Sequence, residues 1–216
     1  MSLSYGETKG SLANRKKFLD SLGIDYRSLI CAQQVHGKNV AYMRQENKGS
    51  GALDYASSIM DTDGFITDQP GVPLAILTAD CLSIFIYDPA RPAIAILHAG
   101  WRGTEKNIAQ AGISRMREIF GSQAEDLFVG FGPSIRSCCF QVEDNFKSNF
   151  SFGLIKRETG VFMDIALINQ RQLADCGVRE ENIFDPALCT FSDDDFFSFR
   201  KEAQVAGRLI SAIMLK

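Results

Sequence analysis

The most constraining stretch of this 216-residue chain runs from Thr78 to Gly103. Leu82–Tyr87 (LSIFIY) and Ala93–Leu97 (AIAIL) are short β-branched and aromatic runs. The turn formers between them, from Asp88 to Pro92, predict a β-hairpin. Cys81 and His98 each lie about eight residues from a turn centred near Pro89 and Ala90, so they are expected to be cross-strand neighbours. Directly opposite residues have Cβ atoms roughly 5 Å apart on one face. At that separation a thiolate and an imidazole can share a metal ion or act as a nucleophile and its base, and spacing alone does not choose.

The rest of the chain predicts an α+β fold, a single-domain α/β sandwich over residues 1–216 with a largely antiparallel or mixed sheet. Leu12, Phe18, Leu19 and Leu22 suggest a helix stopped by Gly23, with Asn14, Arg15, Lys16 and Lys17 facing solvent. Strands are expected over 28–34 and 39–44, with Val35-His36-Gly37-Lys38 connecting them, then over 64–67 and 72–78 around the turn Asp68-Gln69-Pro70-Gly71. After His98 the period changes to about 3.6: Ile108, Gly112, Met116, Ile119 and Phe120 share a helical face, Thr104 is the expected N-cap and Gly121 the stop. Free N–H groups at that helix start are expected to hold an anion near His98. Asp126–Gly132 suggests a strand, Val142, Phe146 and Phe150 a short helix, and Asp164 the cap of another carrying Ile165, Ile168 and Leu173. FFSFRK (196–201) and GRLISAIML (207–215) suggest two strands at the end.

Charge narrows the partners. A net charge of −3 has no basic footprint for nucleic acid or an anionic membrane. No basic-then-apolar leader opens the chain and no run approaches the ~18 apolar residues of a membrane span, so a cytoplasmic protein is expected. Six cysteines without a leader are better read as reduced thiols than as a disulfide framework.

Adding His36, the only other histidine, to Cys81 and His98 makes a three-donor set suited to catalytic zinc, because the fourth tetrahedral position stays open. Copper is the rival ion, but two imidazoles are too few for a multicopper cluster. Cys81 and His98 alone also suit thiol chemistry, with a third group orienting the imidazole. Asp80 is adjacent in sequence, yet successive strand residues point to opposite faces. Asp61 and Asp63 are candidates for a general base or an outer shell around a metal, against a turn that caps its own backbone. Arg102 can grip a phosphate or carboxylate, and Trp101 suits core packing. Cys138 and Cys139, being adjacent, read as packing residues rather than joint ligands. Cys31 and Cys176 carry no motif, and Arg200 and Arg208 read as solvated.

The segments QQVHGKNV (33–40), DTDGFIT (61–67), TADC (78–81), HAGWRG (98–103), GFGPSIRSCCFQV (130–142), ALCT (187–190), FFSFRK and GR (207–208) resemble the YfiH, or laccase-domain, family. The resemblance runs from about Ser4 to the final strand. It implies an α/β sandwich related to the catalytic domain of a bacterial toxin deamidase, and zinc held by His36, Cys81 and His98. It also implies phosphorolysis of adenosine, inosine and methylthioadenosine, with adenosine deamination beside it, so purine nucleoside and phosphate are the expected ligands. Asp80, Cys81, His98 and Arg102 are the expected catalytic residues, with an acid such as Asp80 or Asp63 protonating the leaving base. Family members are also described as peptidoglycan editing factors, which keeps a Cys/His thiol hydrolase open, and a non-catalytic zinc-binding partner protein is the third reading. Two departures stand out: the chain begins almost at its first helix, and Ser83 replaces the proline usual after the ADC motif.

Overall fold

Alternation along the strands decides how the layers stack. The computed structural model describes residues 1–4 and 7–216. Its elements begin with α1 (Thr8–Ser21), β1 (Val40–Tyr42), β2 (Gly64–Thr67), β3 (Leu74–Thr78) and the hairpin of β4 (Leu82–Asp88) and β5 (Ala93–Ala99). They continue with α2 (Trp101–Glu105), α3 (Ile108–Phe120), β6 (Phe128–Phe131), β7 (Gln141–Val142), β8 (Leu154–Arg157) and β9 (Gly160–Met163). α4 (Ile165–Asp175), β10 (Ile183–Phe184), α5 (Phe199–Glu202) and β11 (Leu209–Ile213) complete the order.

Six strands form the main sheet in the order β1-β2-β5-β4-β6-β10, antiparallel in the middle and parallel at both edges. In β5, Ala93, Ala95, Leu97 and Ala99 join Ile108, Ile113 and Met116 of α3 and Ile165 and Ile168 of α4 in one core. Ile94 and Ile96 face the other way and pack with Phe65, Leu74 and Ile76. β3 pairs antiparallel with β11 as a second sheet, and beyond it Ala75 and Ile210 pack against Leu19 of α1. The expected mixed α/β sandwich is what forms. With both faces of β5 buried and each full Ile or Leu burial contributing roughly 1.5–3 kcal/mol, a one-residue slip would turn Ser83 and His98 into the helix-side core. His98, with the parity of Ile94 and Ile96, therefore lies between the two sheets.

Several local expectations are corrected. In the hairpin Ser83 pairs with His98 and Leu82 with Ala99, so Cys81 is the diagonal and not the direct neighbour of His98. The offset is two residues, which preserves the face. Residues 28–34 are not a continuous strand but two isolated bridges, Ile30 to Leu74 and Ala32 to Ile59. The expected single helix from Thr104 is two: α2 is capped at Gly100, the chain reverses at Asn107 (φ 61°), and α3 follows. Thr104 is buried inside α2, accepting from Asn169 Nδ2 at 2.9 Å, so it is not the N-cap of the helix. Residues 142–150 hold a strand end and a 3-10 turn instead of an α-helix. FFSFRK enters α5, where the Ser198 hydroxyl caps the Lys201 N–H, and β8 and β9 form a hairpin with no distinct sequence signature. Arg15, expected on the solvent face of α1, is 1% exposed. Among the described residues no helix is long and apolar enough to cross a membrane.

Candidate metal centre

Three chain segments bring the donors together. Cys81 follows the bend after β3, His98 is the penultimate residue of β5, and His36 sits on the loop before β1 with φ 57°, a left-handed conformation uncommon for a residue with a side chain. Their ligand atoms all lie within 4.8 Å of one another, with Cys81 Sγ 3.8 Å from His36 Nε2. The two imidazoles meet edge to face at 4.7 Å between centroids. His98 is buried, whereas His36 and Cys81 are half-buried and open to solvent on one side. Thus the structure converges the three sequence-derived donors.

The organising residue is Asp63, which is fully buried. Its Oδ1 accepts the His36 N–H at 2.9 Å, and its Oδ2 accepts those of Val35 (3.2 Å) and Gly37 (2.7 Å). This wraps the His36 loop round one carboxylate and explains its left-handed turn. Oδ1 also meets His98 Nδ1 at 2.8 Å. Because an ionised carboxylate only accepts, Nδ1 carries a proton and Nε2 is the ring nitrogen available to a ligand. Asp63 therefore places both histidines, one through its backbone and one through its ring. The DTDG segment was the available signal, but a turn sequence does not say which backbone its carboxylate caps. Asp61 is exposed and takes no part among these contacts.

Burial by itself pushes the Cys81 thiol up and the His98 imidazole down. Each is overruled: the charge of His98 and hydrogen bonds from both histidines bring Cys81 down to about 6, while the charge of Cys81 and the bond to Asp63 raise His98 to about 9. Without an ion the pair is thus thiolate and imidazolium. Gly100 is required by the donors themselves, since a Cβ there would stand 2.9 Å from both Cys81 Sγ and His36 Cδ2. Likewise, a Cβ on Gly103 would meet the Gly37 carbonyl at 3.1 Å.

The donors line a cleft of about 700 Å³, within the range of small-molecule sites, shared with Gln34, Tyr55, Trp101, Phe140 and Arg200. The Arg102 guanidinium lies over the Trp101 ring, 4.1 Å from its centroid, at the cleft wall, and Trp101 itself packs on Phe146. Asp80, at φ 85°, has both oxygens engaged: Oδ1 accepts from the Thr190 hydroxyl at 2.7 Å and Oδ2 from the Arg200 N–H at 2.6 Å. Arg200 also donates to the Gln141 carbonyl, and Arg208 to the carbonyls of Ala206 and Gly207, so neither is merely solvated. Ser83 is buried, and its hydroxyl bridges to that of Ser211 at 2.9 Å, tying the two sheets together below His98.

A mixed α/β sandwich with two imidazoles and a thiolate over one buried carboxylate is an arrangement that could hold a metal ion. The chain belongs to the family described as multi-copper polyphenol oxidoreductase laccase, which matches residues 4–216. It is 32% identical over 212 residues to the purine nucleoside phosphorylase YlmD of Bacillus subtilis, covering 94% of this chain and 76% of that protein. It is also 29% identical over 205 residues to the adenosine deaminase RL5 of an unknown prokaryotic organism, covering 90% and 78%. The crystal structure of YlmD from Geobacillus stearothermophilus matches with a TM-score of 0.96 at 28% identity, covering all of this chain and 84% of that one.

Proposed function

We propose that the protein is a zinc-dependent purine nucleoside phosphorylase whose centre also deaminates adenosine. The observation that carries this reading is the donor set itself: His36, Cys81 and His98 converge at a nucleoside-sized cleft with Asp63 fixing both imidazoles. Relatives named for both activities support it. Zinc, when bound, acts as a Lewis acid and lowers the pKa of water towards about 7. Two imidazoles and one thiolate suit zinc and leave one tetrahedral position for a reactant, whereas a multicopper cluster needs more imidazoles than the chain owns. Arg102, with its guanidinium over the Trp101 ring at the cleft wall, is the residue to hold a phosphate oxygen. Asp80 is better suited to positioning than to protonating the leaving base, because its oxygens are engaged by the Thr190 hydroxyl and by the N–H of Arg200, a residue of the wall. Asp63, enclosed by four donors, positions the imidazoles and does not reach the reactants.

Phosphate-dependent release of hypoxanthine from inosine by the zinc-loaded protein tests the reading. In Cys81→Ala and His98→Ala activity is expected to fall by more than the about 100-fold that loss of an outer-shell partner can cost. Equal activity in either variant would refute the assignment.

The thiolate–imidazolium pair, with Asp63 behind the imidazole, favours one second reading, a Cys/His thiol hydrolase acting on an amide. Activity that survives complete chelation but is abolished by thiol alkylation would establish it instead.

The same pair sets a proton count. Folded Cys81 titrates near 6, below its ordinary 9, so its contribution to stability is complete above 9 and lost as pH falls through about 6. Folded His98 titrates near 9, above its ordinary 6.5, so its contribution is complete below 6.5 and lost as pH rises through about 9. Between those limits folded and unfolded pairs each hold one proton, and the two slopes cancel. The metal-free protein is therefore expected to have pH-independent stability from these groups at neutral to mildly alkaline pH. Zinc uptake there should release one proton, from His98, and tighten about tenfold per pH unit. Indicator-monitored titration in weak buffer measures the release; no proton, or two, would contradict the pairing.

A further inference from the structure

Three sulfurs meet outside the cleft centre. Cys138 and Cys139 occupy the turn after β6, and Cys189 lies in the irregular segment between β10 and α5, yet their Sγ atoms are all within 4.8 Å of one another. Adjacent side chains diverge in extended backbone. Here the chain curls instead, since the N–H groups of Cys139 and Phe140 both donate to the Arg136 carbonyl, at 2.9 and 2.8 Å. Cys189 is delivered by a parallel bridge to Ser134, closed by Ser134 N–H to the Leu188 carbonyl (3.2 Å) and Thr190 N–H to the Ser134 carbonyl (3.1 Å). Arg136 locks the two segments, gripping Asp185 with two bonds of 2.7 Å and the Leu188 carbonyl at 3.1 Å.

We propose that Cys138, Cys139 and Cys189 form a second, all-sulfur metal site for a thiophilic d10 cation. Soft thiolates select such ions over Mg²⁺ or Ca²⁺. All three cysteines are free, and they grade from the buried Cys189 through the half-buried Cys139 to the exposed Cys138, which leaves an entry path from solvent. Zinc–sulfur bonds of about 2.3 Å need sulfurs on the order of 3.8 Å apart, a closure that side-chain rotation supplies. Binding exchanges the protons still on the thiols for the ion, with no change of oxidation state. The ion staples two segments that also hold Asp80, through Thr190 Oγ1 (2.7 Å) and through Ile135 N–H to the Asp80 carbonyl (2.9 Å).

The test counts ions on the full-length chain under a non-thiol reductant, by native mass spectrometry with zinc and by thiolate charge-transfer absorption with Cd²⁺. Wild type is expected to bind two ions and Cys138→Ser one. Cys81→Ala should bind one, and Cys81→Ala with Cys138→Ser none. Zinc should raise the Tm of Cys81→Ala but not of the double variant. Cys138 is exposed, so its serine variant leaves the core intact, and Cys138→Ser compared directly with wild type serves if Cys81→Ala fails to fold. One ion in wild type, or two ions persisting in both Cys138→Ser and Cys189→Ser, would overturn the proposal.

Discussion

Asp63→Asn is expected to weaken zinc binding by about 10–100-fold and to destabilise the fold by about 3–5 kcal/mol. The carboxylate accepts from four donors, two on each oxygen. An amide has only one acceptor oxygen. If its nitrogen replaces Oδ2 it faces the N–H groups of Val35 and Gly37, and the His36 loop loses its reason to curl. If it replaces Oδ1 it faces the His36 N–H and drives the His98 proton from Nδ1 to Nε2, the nitrogen the ion requires. Either orientation spoils one imidazole. Acidity adds a second signature. Burial pushes the Asp63 carboxyl up, but the hydrogen bond and charge of His98 and the surrounding backbone N–H groups hold it below its ordinary value. Its contribution to stability is therefore complete above the usual carboxylate range and lost as pH falls through the depressed value. The variant should show a flatter acid limb in thermal melts. Chelator competition measures the affinity, and an unchanged zinc affinity would remove Asp63 from the role assigned to it.

The hairpin and the layers were legible because burial on both faces leaves few registers. Placing the turn one residue early shifts the pairing by two, and parity then keeps Cys81 and His98 on one face. Capping was less legible. The carboxylate of Asp63 reaches a loop far away in sequence, while Thr104 resembles an N-cap but lies inside a helix that Gly100 begins, where a side chain would collide with the donors. Periodicity failed where few residues repeat. The aromatic run before Arg200 suits a strand on propensity, and the Ser198 cap together with the Asp80 bond to the Arg200 N–H makes it a helical turn instead. At Cys138 and Cys139 the backbone curls and brings two vicinal sulfurs within 4.8 Å of Cys189, a proximity that composition does not announce.

Arg15→Met is expected to destabilise the fold as much, again by about 3–5 kcal/mol, although it lies on the far side of the second sheet from the metal centre. The guanidinium is 1% exposed and donates to the carbonyls of Met1 (2.8 Å), Gly51 (2.8 Å) and Ala52 (2.7 Å). Methionine fills much of the same volume but orphans these carbonyls, each at about 1–3 kcal/mol. The loop cannot simply retreat to water. Gly51 sits at φ 74° against Ser58, where even a Cβ would come within 2.4 Å of the hydroxyl oxygen, and the preceding Ser50 carbonyl is held by the Cys31 N–H at 2.8 Å. For a chain of this length about 2–4 °C per kcal/mol converts the loss into a Tm roughly 6–20 °C lower. Lysine at this position keeps the charge but offers one compact donor group where three separated carbonyls need a fork, so Arg15→Lys should recover only part of the loss. The same loop carries Tyr55 to the wall of the cleft. Loosening it should therefore raise KM for a nucleoside more than it lowers kcat, since none of the three donors His36, Cys81 and His98 lies on that loop. Thermal melts and proteolysis within residues 45–58 measure the two effects, and a Tm within about 2 °C of wild type would mean that the loop is held by its own turns rather than by the buried arginine.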